Sequence, residues 1–272
     1  MRRLDGRVAV ITGAASGIGR ATSEALASKG CDLALSDVNR EGLEETAERV
    51  RALGRKVSVH VLNVAAAEEM AAFPDAVIAE HGHAHILVNN AGVAVGGTLE
   101  EQTLEDLEWI VGVNFWGVVY GCKFFLPYLR REEEAHIVNL SSMFGLIGLP
   151  TQTSYCATKF AVRAISEGLW SELADTKIGV TSVHPGGIRT DIVRGARGGD
   201  EVRRKESVEW FEQRTRPPEY AAARIVRAIE RGKRRQLVCP ETYVTDVLKR
   251  LFPVATHRLV DHLYRRQPKA LF

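Results

Sequence analysis

Arg7-Val8-Ala9-Val10-Ile11-Thr12-Gly13-Ala14-Ala15-Ser16-Gly17-Ile18-Gly19 carries two structural signals in succession. Arg7 to Ile11 is a short β-rich run, and Thr12 to Gly19 is a glycine-rich turn. From Arg20 to Lys29, Ala21, Ala25 and Leu26 recur at helical spacing, and Gly30 is a stop signal. Strand, glycine turn and helix in that order build an anion site. Glycines let the backbone approach a pyrophosphate, and the helix N-terminus offers unpaired N–H groups at the positive end of its dipole. The spacing Gly-x-x-x-Gly-x-Gly differs from the Gly-x-Gly-x-x-Gly of the common dinucleotide fingerprint, but its position directly after the first strand supports the same reading.

Asp32 to Asp37 reads as the second strand and closes on a carboxylate, 24 residues beyond Gly13. That is near the ~20 expected for an acid that bonds an adenosine ribose. Such an acid accepts from a 2′-hydroxyl and repels a 2′-phosphate, so NAD is expected over NADP. Arg40 lies just beyond and could reach a phosphate, while no basic residue occupies the glycine turn itself. Arg40 to Leu53 then reads as an amphipathic helix, and Lys56 to Leu62 as a strand delivering Asn63-Val64. Glu68 to His81 is the next helix, and His85 to Val88 a strand delivering Asn89-Asn90-Ala91-Gly92. Four β-α alternations with short connections argue for a parallel sheet with helices on both faces. His81, His83 and His85 resemble metal ligands, but no carboxylate or cysteine converges on them in sequence. They read as solvated or helix-end histidines, and no metal is expected.

At 272 residues, with 45% hydrophobic and 26% charged residues, the chain fits one large α/β domain. A net charge of +2 is too small to argue for a nucleic-acid partner. Cys31, Cys122, Cys156 and Cys239 form no Cys-x-x-Cys pair, which fits reduced thiols in a cytoplasmic protein better than disulfides or zinc. The N-terminal residues enter a strand at once, without a signal-peptide hydrophobic region. No apolar run approaches the ~20 residues of a membrane span.

Ser141 to Lys159 carries the chemistry. Tyr155 and Lys159 are four apart and share one helical face. A phenol of ordinary pKa about 10 is a poor base near neutrality, and a neighbouring ammonium would lower that value. Ser142 ends the apolar run His136 to Leu140, so its hydroxyl should sit at the carboxyl end of a strand, where open α/β sheets bind ligands. A hydroxyl donor, a tunable phenol and a cation thus converge from one strand-loop-helix unit, the set that proton transfer at an alcohol needs.

Taken together, the sequence resembles the short-chain dehydrogenase/reductase family in its single-domain form, from about Arg7 to Cys239. The resemblance rests on six motifs in order: Thr12-Gly13-x-x-x-Gly17-Ile18-Gly19, Asn89-Asn90-Ala91-Gly92, Asn114, Ser142, Tyr155-x-x-x-Lys159 and Pro185-Gly186-x-x-x-Thr190. It implies a doubly wound Rossmann-like domain with seven parallel strands in order 3-2-1-4-5-6-7. It also implies hydride transfer between a nicotinamide and an alcohol or ketone. On this resemblance Tyr155 is the acid/base, Lys159 lowers its pKa and bonds the nicotinamide ribose, and Ser142 bonds the substrate oxygen. Asn114 supports a proton relay through water. Gly13, Ser16, Gly17, Ile18 and Gly19 hold the pyrophosphate and nearby ribose, and Asp37 the adenosine ribose. Asn63 and Val64 flank adenine, Asn63 replacing the family's usual aspartate. Asn90, Ala91 and Gly92 line the cofactor while Asn89 ties strands together, and Pro185, Gly186, Ile188 and Thr190 fix the nicotinamide end.

Thr103 to Arg130 reads as two consecutive helices with a break near Asn114. The second is apolar on more than one face, so it should be buried on both sides. Family members pair this helix across a two-fold axis, which implies a homodimer or homotetramer. A largely apolar pocket is expected from Val93–Val95, Met143–Leu149 and Ile188–Phe211, the last including Ile192, Val193, Trp210 and Phe211. A lipophilic secondary alcohol or ketone would fit it. Mixed charges and glycines from Arg194 to Arg216 read as a mobile lid, and Arg231 to Arg235 as a solvated basic turn. Residues 1–240 should form the cofactor and catalytic domain. Residues 241–272 form a basic, amphipathic helical extension that packs on the domain, a partner or the pocket mouth, with peripheral contact at a membrane surface as the alternative. Two other readings stand beside an NAD-dependent dehydrogenase: an NADP-preferring ketone reductase using Arg40, and a non-catalytic dinucleotide-binding regulatory protein.

Overall fold

Val8–Thr12 (β1) is buried at every residue, and its side chains divide between two separate cores. Ala9 and Ile11 enter one core and Val10 the other. Asp32–Asp37 (β2) repeats the division, with Leu33 and Leu35 on the first side and Ala34 on the second. A strand covered on both faces has no polar face to show, which is why these segments read as continuous apolar runs.

The computed structural model describes residue 1 and residues 3–199, 208–209 and 213–266. Helix α1 (Gly17–Ala27) follows β1, and α2 (Arg40–Ala52) follows β2. Then come β3 (Val57–Val61), α3 (Ala67–His81), β4 (Ile86–Asn89), β5 (Val95–Gly96) and α4 (Leu104–Val111). A π-helical turn (Gly112–Trp116) joins α4 to α5 (Gly117–Leu129). Next are β6 (Ala135–Leu140), α6 (Thr153–Glu172), β7 (Ile178–His184) and β8 (Arg197–Gly198). The chain continues through α7 (Pro218–Glu230), β9 (Arg235–Leu237), α8 (Pro240–Leu251) and α9 (Pro253–Arg266).

Seven strands form one parallel sheet in the order β3-β2-β1-β4-β6-β7-β9. Counted without the two-residue strands β5 and β8, this is the expected 3-2-1-4-5-6-7. Those two short strands pair with each other instead, as a parallel strap outside the sheet. The first core lies beneath α1, α2 and α7, and the second beneath α3, α5 and α6.

The helix expected from Arg20 begins at Gly17, inside the glycine turn. The break expected near Asn114 is the π turn, which accommodates one extra residue per turn without ending the helix. The continuous rod Leu104–Leu129 is long and apolar enough, by length and composition, to cross a membrane, contrary to the expectation of no such run. Its hydrophobicity has a local use: Ile110, Val118, Phe125 and Leu129 are buried. The opposite side carries a ladder in which Trp116 stacks on Tyr120 (centroids 5.6 Å apart) and Tyr120 on Phe124 (5.9 Å). Trp116 is 43% exposed, while Tyr120 and Phe124 are half-buried against the second core, so the ladder opens to solvent at its Trp116 end.

The basic turn expected to be solvated is only partly so. Arg235 makes a bidentate pair with Asp246 at 2.7 and 2.5 Å, fastening α8 to the sheet edge. Burial acts to raise the Asp246 carboxyl. The hydrogen bonds and charge of Arg235, joined by Arg250, outweigh that and hold it below its usual range.

Candidate active site

The strand order reverses between β1 and β4, and the carboxyl ends of the strands open there into a cleft of about 820 Å³. One end is built by the glycine turn. Gly13 has φ +66°, and a β-carbon there would stand 2.7 Å from Ala91 Cα. At Gly19 a β-carbon would lie 2.0 Å from the Gly13 carbonyl oxygen. Both positions therefore require glycine, the first to bring the turn against the loop after β4 and the second to fold the turn onto α1. Asn90 Nδ2 donates to the Thr12 and Gly13 carbonyls at 3.0 and 2.9 Å, while Thr12 Oγ1 accepts the N–H groups of Asn90 and Ala91.

Gly13, Ser16, Gly17 and Ile18 line the cleft beside Asn90, Ala91 and Gly92. Gly19 packs behind it. Asp37 stands at the rim, its carboxylate accepting the N–H groups of Ala15 and Asn39, each at 3.1 Å. Arg20, the cation nearest the turn, is committed to the Ala15 and Gly42 carbonyls and to Glu45. Asn63 Oδ1 accepts from Ala65 N at 3.0 Å, so part of the acceptor expected to face adenine is used in the local turn. Asn89 bonds Asn139 at 2.8 Å and ties β4 to β6, as expected. A cradle that a β-carbon would fill, a helix N-terminus and a rim carboxylate together fit a dinucleotide.

The other end is built by β6, α6 and β7. Ser142 Oγ accepts the Phe144 N–H at 3.1 Å and caps the 3₁₀ turn Met143–Gly145. That leaves its proton free to be donated, and the Ser142 side chain acts to lower the pKa of Tyr155. Tyr155 is expected to have a lowered pKa, but in the structure burial pushes it up to about 12, with only the Ser142 side chain pulling the other way. Lys159 does not offset that burial. Its ammonium donates to the Leu140 carbonyl at 3.0 Å and sits 5.7 Å from the centre of the Tyr155 ring. Burial lowers the pKa of Lys159 itself to about 8.

Asn114 is fully buried in the π turn, and its amide clasps the Val93 backbone in both directions, at 2.8 and 2.9 Å. It also donates to Thr158 Oγ1 at 3.2 Å. The side chain expected to serve a relay is thus already committed to holding the loop after β4 against α6. Its Oδ1 and Lys159 Nζ lie 3.4 and 3.3 Å from where a Gly92 β-carbon would be, so the three positions converge.

A family model described as short chain dehydrogenase matches residues 7–200. The chain belongs to the short-chain dehydrogenase family. The chain is 44% identical over 264 residues to a Mycobacterium tuberculosis protein named as an oxidoreductase, SadH, covering 96% of both chains. A Burkholderia phymatum short-chain dehydrogenase/reductase, solved in complex with NAD, superposes with a TM-score of 0.85 at 32% identity. That superposition covers 92% of this chain and 95% of the other. An alcohol dehydrogenase from Thermococcus sibiricus, complexed with 5-hydroxy-NADP, gives a TM-score of 0.73 at 29% identity, over 85% and 95% of the two chains.

The far end of the cleft differs in detail from the expected substrate lining. Met143, Phe144, Leu149, Ile192 and Val193 face the cleft, whereas Val95, Leu146 and Ile147 are core residues. Trp210 and Phe211 lie outside the described residues, as does part of the segment read as a lid. Trp109 and Val113 join the lining from α4 and the π turn. The strap is fixed there by Arg197, which covers the Trp109 ring at 4.0 Å and pairs with Asp106 at 3.6 Å.

Two supports were missed because their residues are far apart in sequence. His184 donates from Nδ1 to the Ser142 carbonyl at 3.1 Å and accepts from Ser182, with burial lowering its pKa to about 4. Glu241 of α8 accepts the Gly187 N–H at 3.2 Å and pairs with Arg216 at 3.4 Å, bringing the C-terminal extension into the cleft lining.

The histidines near Gly82 need a correction, because a carboxylate does converge on two of them. Glu132 lies 3.1 Å from His83 Nδ1 and 3.3 Å from His85 Nε2, while His81 turns away to Ser58. His85 Nδ1 accepts the Val8 N–H at 3.1 Å, which puts the ring's hydrogen on Nε2, facing Glu132. Neutral His85 so arranged has no lone pair left for a metal, and the trio is a hydrogen-bonded cluster.

Proposed function

We infer that this chain is an NAD-dependent oxidoreductase interconverting a lipophilic secondary alcohol and its ketone. The observation that carries the reading is the meeting of Ser142, Tyr155 and the buried Lys159 in one cleft with the dinucleotide cradle. A bound nicotinamide supplies the hydride acceptor or donor. In ketone reduction Tyr155, a protonated phenol at neutral pH, gives its proton to the substrate oxygen as hydride reaches carbon. In oxidation the phenol first gives its proton up to solvent, and the phenolate oxygen then takes the alcohol proton. Ser142, held by His184 behind it, bonds the substrate oxygen while its charge changes. Lys159 places a buried cation where the nicotinamide ribose and the developing phenolate both benefit from it. Asn114 fixes the loop against which the substrate is aligned, and serves the relay by position. Met143, Phe144, Leu149 and Trp109 support a lipophilic substrate.

Asp37 and the committed state of Arg20 support NAD over NADP, as does the NAD complex of the Burkholderia relative. The four buried, unpaired cysteines accord with a reducing cytoplasm. The Trp116–Tyr120–Phe124 ladder, exposed at Trp116, supports a homodimer or homotetramer formed across α5. Residues 1–240 serve as the cofactor and catalytic domain, with the extension from residue 241 joined to it through Glu241 and Asp246.

The test is turnover with NAD and a panel of hydrophobic secondary alcohols, followed by reduced-nicotinamide absorbance. Tyr155→Phe should lose ~10²-fold or more in turnover while still binding NAD. Equal turnover in Tyr155→Phe would overturn the assignment, and turnover with NADP alone would overturn the role of Asp37.

A further inference from the structure

We propose that the α8–α9 extension is a docking surface for an anionic lipid bilayer. Helix α8 buries one side and leaves an apolar stripe opposite, and α9 leaves one along the edge of its packed side. On α8, Val244, Val247 and Leu251 fall within one narrow arc, and Leu251 is 65% exposed. On α9, Leu259 and Leu263 are one turn apart and half exposed, and Phe252 at the joint between the helices is exposed too. The inner side is firmly attached: Asp246 is clamped by Arg235, and Thr256 is buried with its hydroxyl donating to the carbonyls of Leu248 and Phe252. The outward apolar groups therefore belong to a fixed surface. So many large apolar side chains in one exposed region mark a contact site in a folded protein.

Charge says what covers it. The described part of the extension holds Lys249, Arg250, Arg258, Arg265 and Arg266 against Glu241, Asp246 and Asp261. Glu241 is turned inward to Gly187 and Arg216, and Asp246 is buried beneath Arg235. The outer face keeps Asp261 as its carboxylate and is otherwise cationic. Arg258 and Arg265 are seven residues apart, two turns along the same flank of the Leu259–Leu263 stripe. A two-fold contact would bring these cations against their own copies. A bilayer containing anionic lipid would accept the apolar stripe and pair with the flanking cations, the arrangement of an interfacial amphipathic helix.

Location agrees. Thr245 Oγ1 contacts the sulfur of Met143, a cleft-lining residue, at 3.6 Å, and a Gly148 β-carbon would lie 4.0 Å from the His257 ring. The extension thus runs beside the apolar mouth of the cleft. The docking stands independently of which reaction the cleft performs.

The full chain is sedimented with vesicles of phosphatidylcholine alone and with about a third phosphatidylglycerol, at low and high salt. Binding should be roughly tenfold or more stronger to the anionic vesicles and should fall with salt. Leu251→Glu with Leu263→Glu, and separately Arg258→Glu with Arg265→Glu, should each weaken it by roughly tenfold or more. The second pair alters solvated side chains, so it keeps the test open if the first disturbs folding, and thermal melts and NAD binding report the fold. Equal binding to both vesicle types, or none to either, overturns the proposal. So does a drop in molar mass, measured by light scattering without vesicles, on Leu251→Glu with Leu263→Glu, because a second copy would then be the cover.

Discussion

Lys159 donates its ammonium to the carbonyl of Leu140, the last residue of β6, across 3.0 Å. This bond fixes the cation to the end of the central sheet, 5.7 Å from the centre of the Tyr155 ring. Burial lowers Lys159 to about 8, so the cation is present below that pH and lost above it. Tyr155, pushed up to about 12, stays protonated throughout this range. Ketone-reducing kcat/KM should therefore be flat near neutrality and fall above about pH 8 with the slope of one proton. A pH profile with no limb between about 7 and 10 would contradict this assignment.

Glu241 holds the Gly187 N–H and Arg216 together from the first turn of α8. Glu241→Ala should raise KM for NAD by roughly tenfold with little change in kcat, since it loosens the loop without touching the reacting atoms. Glu241→Gln keeps an acceptor for Gly187 and should recover much of the loss. Steady-state kinetics on the three proteins separates the two parameters.

Removing the rim carboxylate should relax the cofactor choice. Asp37→Ser takes away the charge that repels a 2′-phosphate, and Arg40 opens α2 close by. The ratio of kcat/KM for NADP to that for NAD should rise by roughly tenfold to a hundredfold.

The exposed aromatic ladder should be an assembly face. Trp116→Glu inserts a charge into a surface that a partner helix would have to desolvate. Light scattering should show the substituted protein shifted to monomer at micromolar concentration, with its far-ultraviolet circular dichroism unchanged.

Acid should destabilise the fold through two histidines. Burial holds His136 near 3 and His184 near 4, against about 6.5 in the unfolded chain. Both pKa values are lower in the folded state, so the unfolded chain binds more protons as pH falls below about 6.5. Each histidine then costs about 1.4 kcal/mol of stability per pH unit until its folded pKa is reached. At pH 5 the pair should cost about 4 kcal/mol. Denaturant midpoints measured from pH 7 to 4.5 should show this fall, and His136→Phe should reduce its slope by about one proton.

The sheet was legible because a strand buried on both faces writes a mainly apolar run, as in β1, β4 and β6, and because glycine turns punctuate them. Ser142, Tyr155 and Lys159 were legible because one strand-loop-helix unit carries all three within a short span. What escaped is what long-range contact decides. Nothing local to Glu241 announces Gly187, and nothing local to Arg235 announces Asp246, so the basic turn looked solvated. Glu132 approaches His83 and His85 from 47 residues beyond the second of them. The pKa of Tyr155 escaped for another reason: helical spacing places Lys159 nearby, but only the depth of the cleft and the pull of the Leu140 carbonyl decide which influence prevails. Leu146 and Ile147 read as pocket because hydrophobicity alone does not distinguish a wall from a core.

The π turn at Gly112–Trp116 also sets a rule for the length of the chain. An α-helix advances 100° per residue, and the one residue absorbed by this turn lets Asn114 point inward while the Trp116–Tyr120–Phe124 ladder faces away. Deleting a single residue there, or adding one, would rotate the whole of α5 against α4. The interior clasp on Val93 and the outer aromatic seam would then be out of phase, and no substitution elsewhere could restore both. Insertions and deletions should be excluded from this segment even where individual side chains are free to vary, so reading frame, more than residue identity, is what it must preserve.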